Sequence, residues 1–425
     1  MKKVNVHVRL LGVVAMLLAA LWVIPPIVHR IKGLCPVRPN GIGQAEAVPA
    51  YARKYGISCS QCHSAFPLLN DYGREFKNNG YVRERAKEAG AKIEASDMFL
   101  PSTFPWGGLV KARPLDRQKS GGKPRQAQNR ALHEIELFVA DGSIAKGFSY
   151  FMEIEAEDDH GTGFEPEFGD LSVGYHPSPY LNVVAGYGDF LHRMDSYQTL
   201  AHSGFTRRAS DARELLMLNQ QFLSLGGELS KEGLGALGYA AALGGGMGAA
   251  TAGTTAQEGY GPPNYNFRLV ADTLKGIAVG GFLRTGKEDL TSKNLSGVGI
   301  NKMSDSAVDV LVELMGLGVR GALVNTKNET IATSALNSKN TGNYLEAFYT
   351  VKKDERPWIV PLARFDRTKN KITNNTKDHL VANLSYYPME NVRGLLEYYD
   401  ELADKTAGIK GTKDTRWTMQ FEVGF

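Results

Sequence analysis

Arg416-Trp417-Thr418-Met419-Gln420-Phe421-Glu422-Val423-Gly424-Phe425 closes the chain, and its period of two decides the fold. Trp417, Met419, Phe421, Val423 and Phe425 fall on one face of an extended strand, and Arg416, Thr418, Gln420, Glu422 and Gly424 on the other. One face is wholly apolar and the other polar, the pattern of a strand running between lipid and water. Phe148, Tyr150, Met152, Ile154 and Ala156 repeat it against Ser149, Glu153, Glu155 and Glu157, with Phe151 the exception.

The connections extend this reading. Long polar stretches fall near residues 114–129, 158–165, 191–212, 247–263, 287–304, 327–343, 368–377 and 402–413. Tight turns fall near Asp141–Lys146, His176–Tyr180, Ser230–Gly235, Leu274–Gly276, Gly316–Leu317, Asp354–Arg356 and Pro388–Asn391. Alternating long and short connections predict an all-β fold from residue 99 to 425. The expected form is a transmembrane antiparallel barrel of about 16 strands, with periplasmic turns and outer loops, in a bacterial outer membrane. A soluble β-sandwich would leave the lipid-like face unexplained. Ala236, Gly238, Ala240, Ala242 and Gly244 alternate with larger residues and predict room inside the lumen.

Bulk composition excludes other classes. The net charge of +4 over 425 residues gives no basis for nucleic-acid binding. Residues 1–47 read as an export signal. Lys2, Lys3 and Arg9 precede an apolar run from Leu10 to Ile24, and Ala45-Glu46-Ala47 is the expected cleavage site. Cys35 then falls in the removed part, leaving Cys59 and Cys62 in the mature chain.

Residues 48–98 read as a small α-helical unit ahead of the barrel, a monohaem cytochrome c plug. Cys59-Ser60-Gln61-Cys62-His63 is the C-x-x-C-H attachment signature of a c-type haem. Two thiols at that spacing can each form a thioether to one porphyrin edge, and the adjacent imidazole then ligates iron as proximal ligand. Structural zinc would need two further ligands, and the sequence has no second cysteine pair. One covalent haem c is therefore expected. Pro67 predicts the start of a helix carrying Leu68, Leu69, Tyr72 and Phe76 on one face, stopped at Gly80. Met98 is the first candidate for the distal iron ligand and His176 the second.

Residues 47–81 resemble the haem segment of the fused cytochrome–porins of iron-oxidising bacteria. The matching positions are Ala47, Pro49, Tyr51, Ala52, Arg53, Gly56, Cys59, Cys62 and His63, then Phe66, Pro67, Leu69, Asn70, Gly73, Arg74, Phe76, Lys77, Asn79, Gly80 and Tyr81. The resemblance covers less than a tenth of the chain. It implies an iron(II):cytochrome c oxidoreductase that takes electrons from extracellular Fe(II) and passes them to a periplasmic soluble cytochrome or other carrier. Inward Glu153, Glu155 and Glu157, with Asp158, Asp159 and His160 above them, are the candidate Fe(II) entry groups, because carboxylate and imidazole suit divalent iron; the favoured reading of the same groups is a solvated rim facing calcium or lipopolysaccharide. Arg117, Lys119, Lys123, Arg125 and Arg130 are expected to face lipopolysaccharide phosphates. His192 and His202 are expected in another outer loop. Two alternatives stand beside this one: outward electron transfer to extracellular acceptors, and a solute porin whose haem plug is not catalytic.

Overall fold

The computed structural model describes residues 51, 57–78, 81, 90–92, 99–101, 106–119, 126–141, 147–158, 164–201, 205–207, 210–231, 235–245, 263–274, 276–289, 300–330, 337–405 and 414–424. Sixteen antiparallel strands close into one barrel. They are β1 Trp106–Lys119, β2 Gln126–Asp141, β3 Phe148–Asp158, β4 Phe164–Ser178, β5 Leu181–Asp189, β6 Asn219–Lys231, β7 Gly235–Gly245 and β8 Pro263–Leu274. The wall continues with β9 Ile277–Asp289, β10 Ile300–Leu314, β11 Leu317–Thr330, β12 Ser338–Tyr349, β13 Arg356–Asn370, β14 Thr376–Met389, β15 Val392–Lys405 and β16 Thr415–Gly424. A short strand, Val351–Lys353, continues β12 and pairs with β13. The seam joins the terminal strand to the first, from Thr415 opposite Lys119 to Gly424 opposite Leu109.

The alternation read at residues 416–425 holds around the wall. Val308 is 59% exposed while its neighbour Asp309 is 3% exposed, an inversion that only a lipid exterior and a filled interior explain. Leu223, Leu225, Phe267, Leu283, Leu323, Leu345, Trp417 and Phe421 complete the apolar belt. No helix among the described residues is long and apolar enough to cross a membrane.

Most strands run further into the polar connections than hydropathy suggests. The 114–129 stretch is largely strand, with Arg117 paired to Ala127 and Gln118 to Gln126. Above the belt both faces meet water, so alternation ends while the backbone ladder continues. Trp106 opens the wall, and Phe99–Pro101 pairs instead with Gly90–Lys92.

The largest departure is the connection between β5 and β6. Expected as an outer loop, it folds into the barrel. It contains α2 Phe190–Met194 and α3 Asp211–Glu214, and Phe190, Leu191, Phe205, Ala212 and Leu216 are 0% exposed. Phe190, Leu191, Ala212 and Leu216 pack on inward Phe222, Ala240, Ala242, Phe282, Val324 and Tyr344, and Phe205 packs on Phe348, Val360 and Leu362. The space opened by the small residues of β7 is thus taken up by this connection.

Polar groups of the connection, backbone and side chain alike, are held by wall side chains. Arg268 on β8 reaches Asp195 at 3.0 Å and Asp309 at 2.6 Å, with all three side chains at most 2% exposed. Arg284 donates to the Leu216 carbonyl at 2.7 Å, Arg320 to Gln198 at 3.1 Å, and Arg213 to Tyr344 at 2.8 Å. Arg364 donates to Thr206 and Asp366, each at 2.6 Å. Buried charge needs such partners on every side, and the wall supplies them.

Candidate functional site

Cys59, Ser60 and Gln61 form one 3₁₀ turn, entered through Ser58, whose Oγ accepts from Ser60 N–H. His63–Ala65 then pairs with Leu68–Leu69, His63 lying opposite Leu69. The helix, α1, spans Asp71–Asn78, later than Pro67 predicts. Asn70 explains the shift: its Oδ1 accepts from Gly73 N–H at 2.9 Å, the bond of an N-terminal cap. Leu68 and Leu69 are therefore strand residues. Gly73 brings α1 against the cysteine turn, because a Cβ there would lie 2.0 Å from the Cys62 carbonyl oxygen.

This segment lies inside the end of the barrel where the turns are short. Ala65 and Leu68 pack with Phe205, Phe348, Val360, Leu362 and Tyr387. Tyr387 donates to the Phe66 carbonyl at 2.6 Å, and Arg74 reaches Glu313 at 3.0 Å. Asn78 donates to Glu228 at 3.0 Å and accepts, through its carbonyl, from Asn182 at 2.9 Å. Lys77 donates to the His192 carbonyl at 2.7 Å, where burial and the nearby Arg193 bring its amine down to about 8.

Neither thiol is in a disulfide with a described residue, and both cysteines are partly buried. Burial, reinforced by Glu390 and Cys62, pushes the Cys59 thiol up to about 11, which keeps it protonated at neutral pH. Burial brings His63 down to about 4 against the opposing pull of the Pro67 and Leu68 carbonyls, so its imidazole is neutral. Its Nδ1 is buried without a hydrogen-bond partner among the described residues. Two thiols on one turn beside a neutral imidazole with an unpartnered ring nitrogen fit the donor set of a covalent haem.

The other expected site residues divide. Met98, Asp159, His160 and His202 lie outside the described residues, as does the export signal. His176 points inward as its strand position predicts, but both ring nitrogens are engaged, Nε2 with Ser149 at 2.7 Å and Nδ1 with Asn182 at 2.6 Å. His192 belongs to α2 inside the lumen, its Nδ1 2.6 Å from Asp170. Arg130 turns into the barrel, donating to the Asp158 carbonyl at 2.9 Å, so it does not face the lipid surface as expected.

Glu155 and Glu157 meet acidic partners on β2 that the sequence reading missed. Possible ligand atoms of Glu134, Glu136 and Glu155, and of His133, Glu134 and Glu157, lie within 4.8 Å of one another. The signal was present: Glu134-Ile135-Glu136 alternates as Glu153–Glu157 does, and register sets Glu134 opposite Glu157 and Glu136 opposite Glu155. Lys111 on β1 lies 2.8 Å from Glu134 and also bonds Glu136, offsetting part of the negative charge. His133 is held between Arg130 at 3.2 Å and Glu157 at 3.0 Å. Glu153 sits apart, toward Gly169.

No protein-family model matches the chain, and no curated protein matches it. Solved structures do. A loop L8 deletion mutant of OmpT from Vibrio cholerae matches with a TM-score of 0.52 at 8% identity, over 75% of this chain and 99% of that one. An anion-selective porin from Comamonas acidovorans matches at 0.51 and 13% identity, over 75% and 98%. Salmonella typhi OmpF, in complex with daunomycin, matches at 0.52 and 14% identity, over 79% and 100%. The chain has the porin fold. With its apolar belt, that fold is a protein of the bacterial outer membrane.

Proposed function

We propose that this outer-membrane barrel carries electrons between the cell exterior and the periplasm through one covalent haem c. Cys59 and Cys62 would hold the porphyrin and His63 would ligate its iron, with Met98 the candidate distal ligand. The observation that carries this reading is the buried, neutral His63 with its unpartnered Nδ1, next to the Cys59 and Cys62 thiols at C-x-x-C spacing. When bound, the haem supplies a one-electron couple; the chain's own residues set its place and surroundings.

The favoured direction is inward. Extracellular Fe(II) would approach from the loop end, where the carboxylates of Glu155 and Glu157 with Glu134 and Glu136 line the wall, and Glu153, Asp158, Asp159 and His160 complete the candidate route. A soluble cytochrome or other periplasmic carrier would collect the electron at the turn end, next to Cys59. A hydrocarbon layer of roughly 30 Å is too thick for one haem to serve from outside the barrel, so a site within the lumen favours this arrangement.

Mixing the oxidised, detergent-purified protein with Fe(II) in a stopped-flow spectrometer tests the proposal. Reduction of the haem bands supports it. A coloured protein whose bands stay oxidised rules out iron oxidation and leaves outward transfer. A second reading, a solute porin with a non-catalytic haem, has the porin fold in its favour. Against it stand residues 57–78 and the described residues of 190–218, which lie inside the barrel, and sugar flux through reconstituted protein would decide for it.

A further inference from the structure

Three consecutive residues of the cysteine turn converge on one wall carboxylate. Glu390, in the turn between β14 and β15, accepts from Ser58 Oγ at 2.9 and 2.8 Å and from Cys59 N–H at 2.8 Å. Ser60 Oγ adds a longer bond at 3.3 Å. On its other side Glu390 meets Arg356, at the start of β13, with Nε 2.9 Å from Oε1. The Arg356 side chain is 65% exposed and that of Glu390 14%, so the acid is sheltered and its counter-ion faces water.

Other bonds close this turn of the barrel. Met389 pairs with Val392 across the same turn, and Asn391 exchanges two bonds with Gly424, its carbonyl accepting at 2.8 Å and its side chain donating at 2.9 Å. Glu390 is thus left to face the cysteine turn. Its carboxylate meets the backbone of the residue that would carry one thioether. A negative charge so close stabilises the more positive, ferric state of a bound haem, and a nearby cation stabilises the ferrous state.

We propose that Glu390 is a positioning residue: it docks the Cys59 turn on the barrel rim and, in balance with Arg356, sets the midpoint potential of the haem. The inference rests on the haem reading above. Arg356 being the more exposed, its effect is the smaller of the two.

Redox titration of the full-length haem protein tests it, with heat-modifiable gel migration confirming that each variant has a closed barrel. Glu390→Gln keeps the side chain's size and removes its charge. It should raise the potential, by about 59 mV for a tenfold change in the one-electron equilibrium. Arg356→Gln should lower it by less. Shifts of opposite sign support the proposal, since mere loosening of the turn would move both variants the same way. Shifts of the same sign, or none, overturn it. In protein produced without haem attachment, Glu390→Ala should speed maleimide alkylation of Cys59 severalfold, and an unchanged rate overturns the docking role. A colourless wild-type protein, after expression with the cytochrome maturation machinery, would instead remove the haem reading itself.

Discussion

The wall and the 190–218 connection obey opposite rules within one lumen. In the wall each residue's surroundings follow from its parity, so Leu323 faces lipid at 63% exposure while Ala322 and Val324 are buried. The connection has no such period. Its residues are buried because particular wall groups receive them, as Arg268 receives Asp195 and Tyr344 receives Arg213. A repeating element advertises its environment in sequence, whereas an irregular one does so only once its partners are known.

The largest expected break comes from the connection's central ion pairs. Arg268→Ala strands Asp195 and Asp309 without their shared cation, at a cost of about 3–5 kcal/mol. Residues 190–218 should become cleavable by protease and single-channel conductance should rise, while the barrel still migrates as a closed form. Resistance to protease in that variant would mean the connection is held by its apolar side chains alone. Next is the wall: Leu323→Arg sets a charge on the lipid face and should cost about 2–4 kcal/mol near the bilayer midplane. Urea unfolding in liposomes reads this, and a wild-type midpoint would place Leu323 away from hydrocarbon.

A smaller effect probes the contact between α1 and the cysteine turn. Gly73→Ala forces a methyl against the Cys62 carbonyl and should cost about 1–3 kcal/mol. The yield of covalent haem should fall, measured by haem staining after denaturation, with barrel stability unchanged. Last is the pH effect of His63, which is nil at neutral pH and grows only on acidification. Its folded value of about 4 lies below the ordinary 6.5, so burying it neutral contributes stability that is intact above pH 6.5 and lost progressively as pH falls toward 4. Protease protection of residues 57–78 in the haem-free protein should follow that curve, and His63→Asn should flatten it.

How much was legible follows from the same contrast. Strand number, closure and lipid face were readable from residues 416–425 and from the spacing of turns. Cys59, Cys62 and His63 stand out because the spacing itself is the signal; the structure sets them on and beside one turn, and the haem they would hold is the proposal to be tested. The start of α1 was misplaced because Pro67 suits a first helical turn, whereas Asn70 supplies the cap. The fate of residues 190–218 was hidden, since a polar stretch with scattered aromatics suits water as well as a lumen lined with arginine. Glu134 and Glu136 obey the same alternation as Glu155 and Glu157, but only strand register sets them side by side.

Beside the Lys77–His192 bond and the packing of Phe205 on Ala65 and Leu68, Gln198 is one of the places where the two inserted segments meet. Its backbone adopts a φ of 54°, its side-chain oxygen accepts from Leu69 N–H at 3.0 Å, and its amide reaches the Pro67 carbonyl at 3.4 Å. One segment enters from the turn end and the other from the loop end, and these bonds join the two. A displacement of the outer segment would therefore reach the backbone four residues beyond His63 directly, through hydrogen bonds.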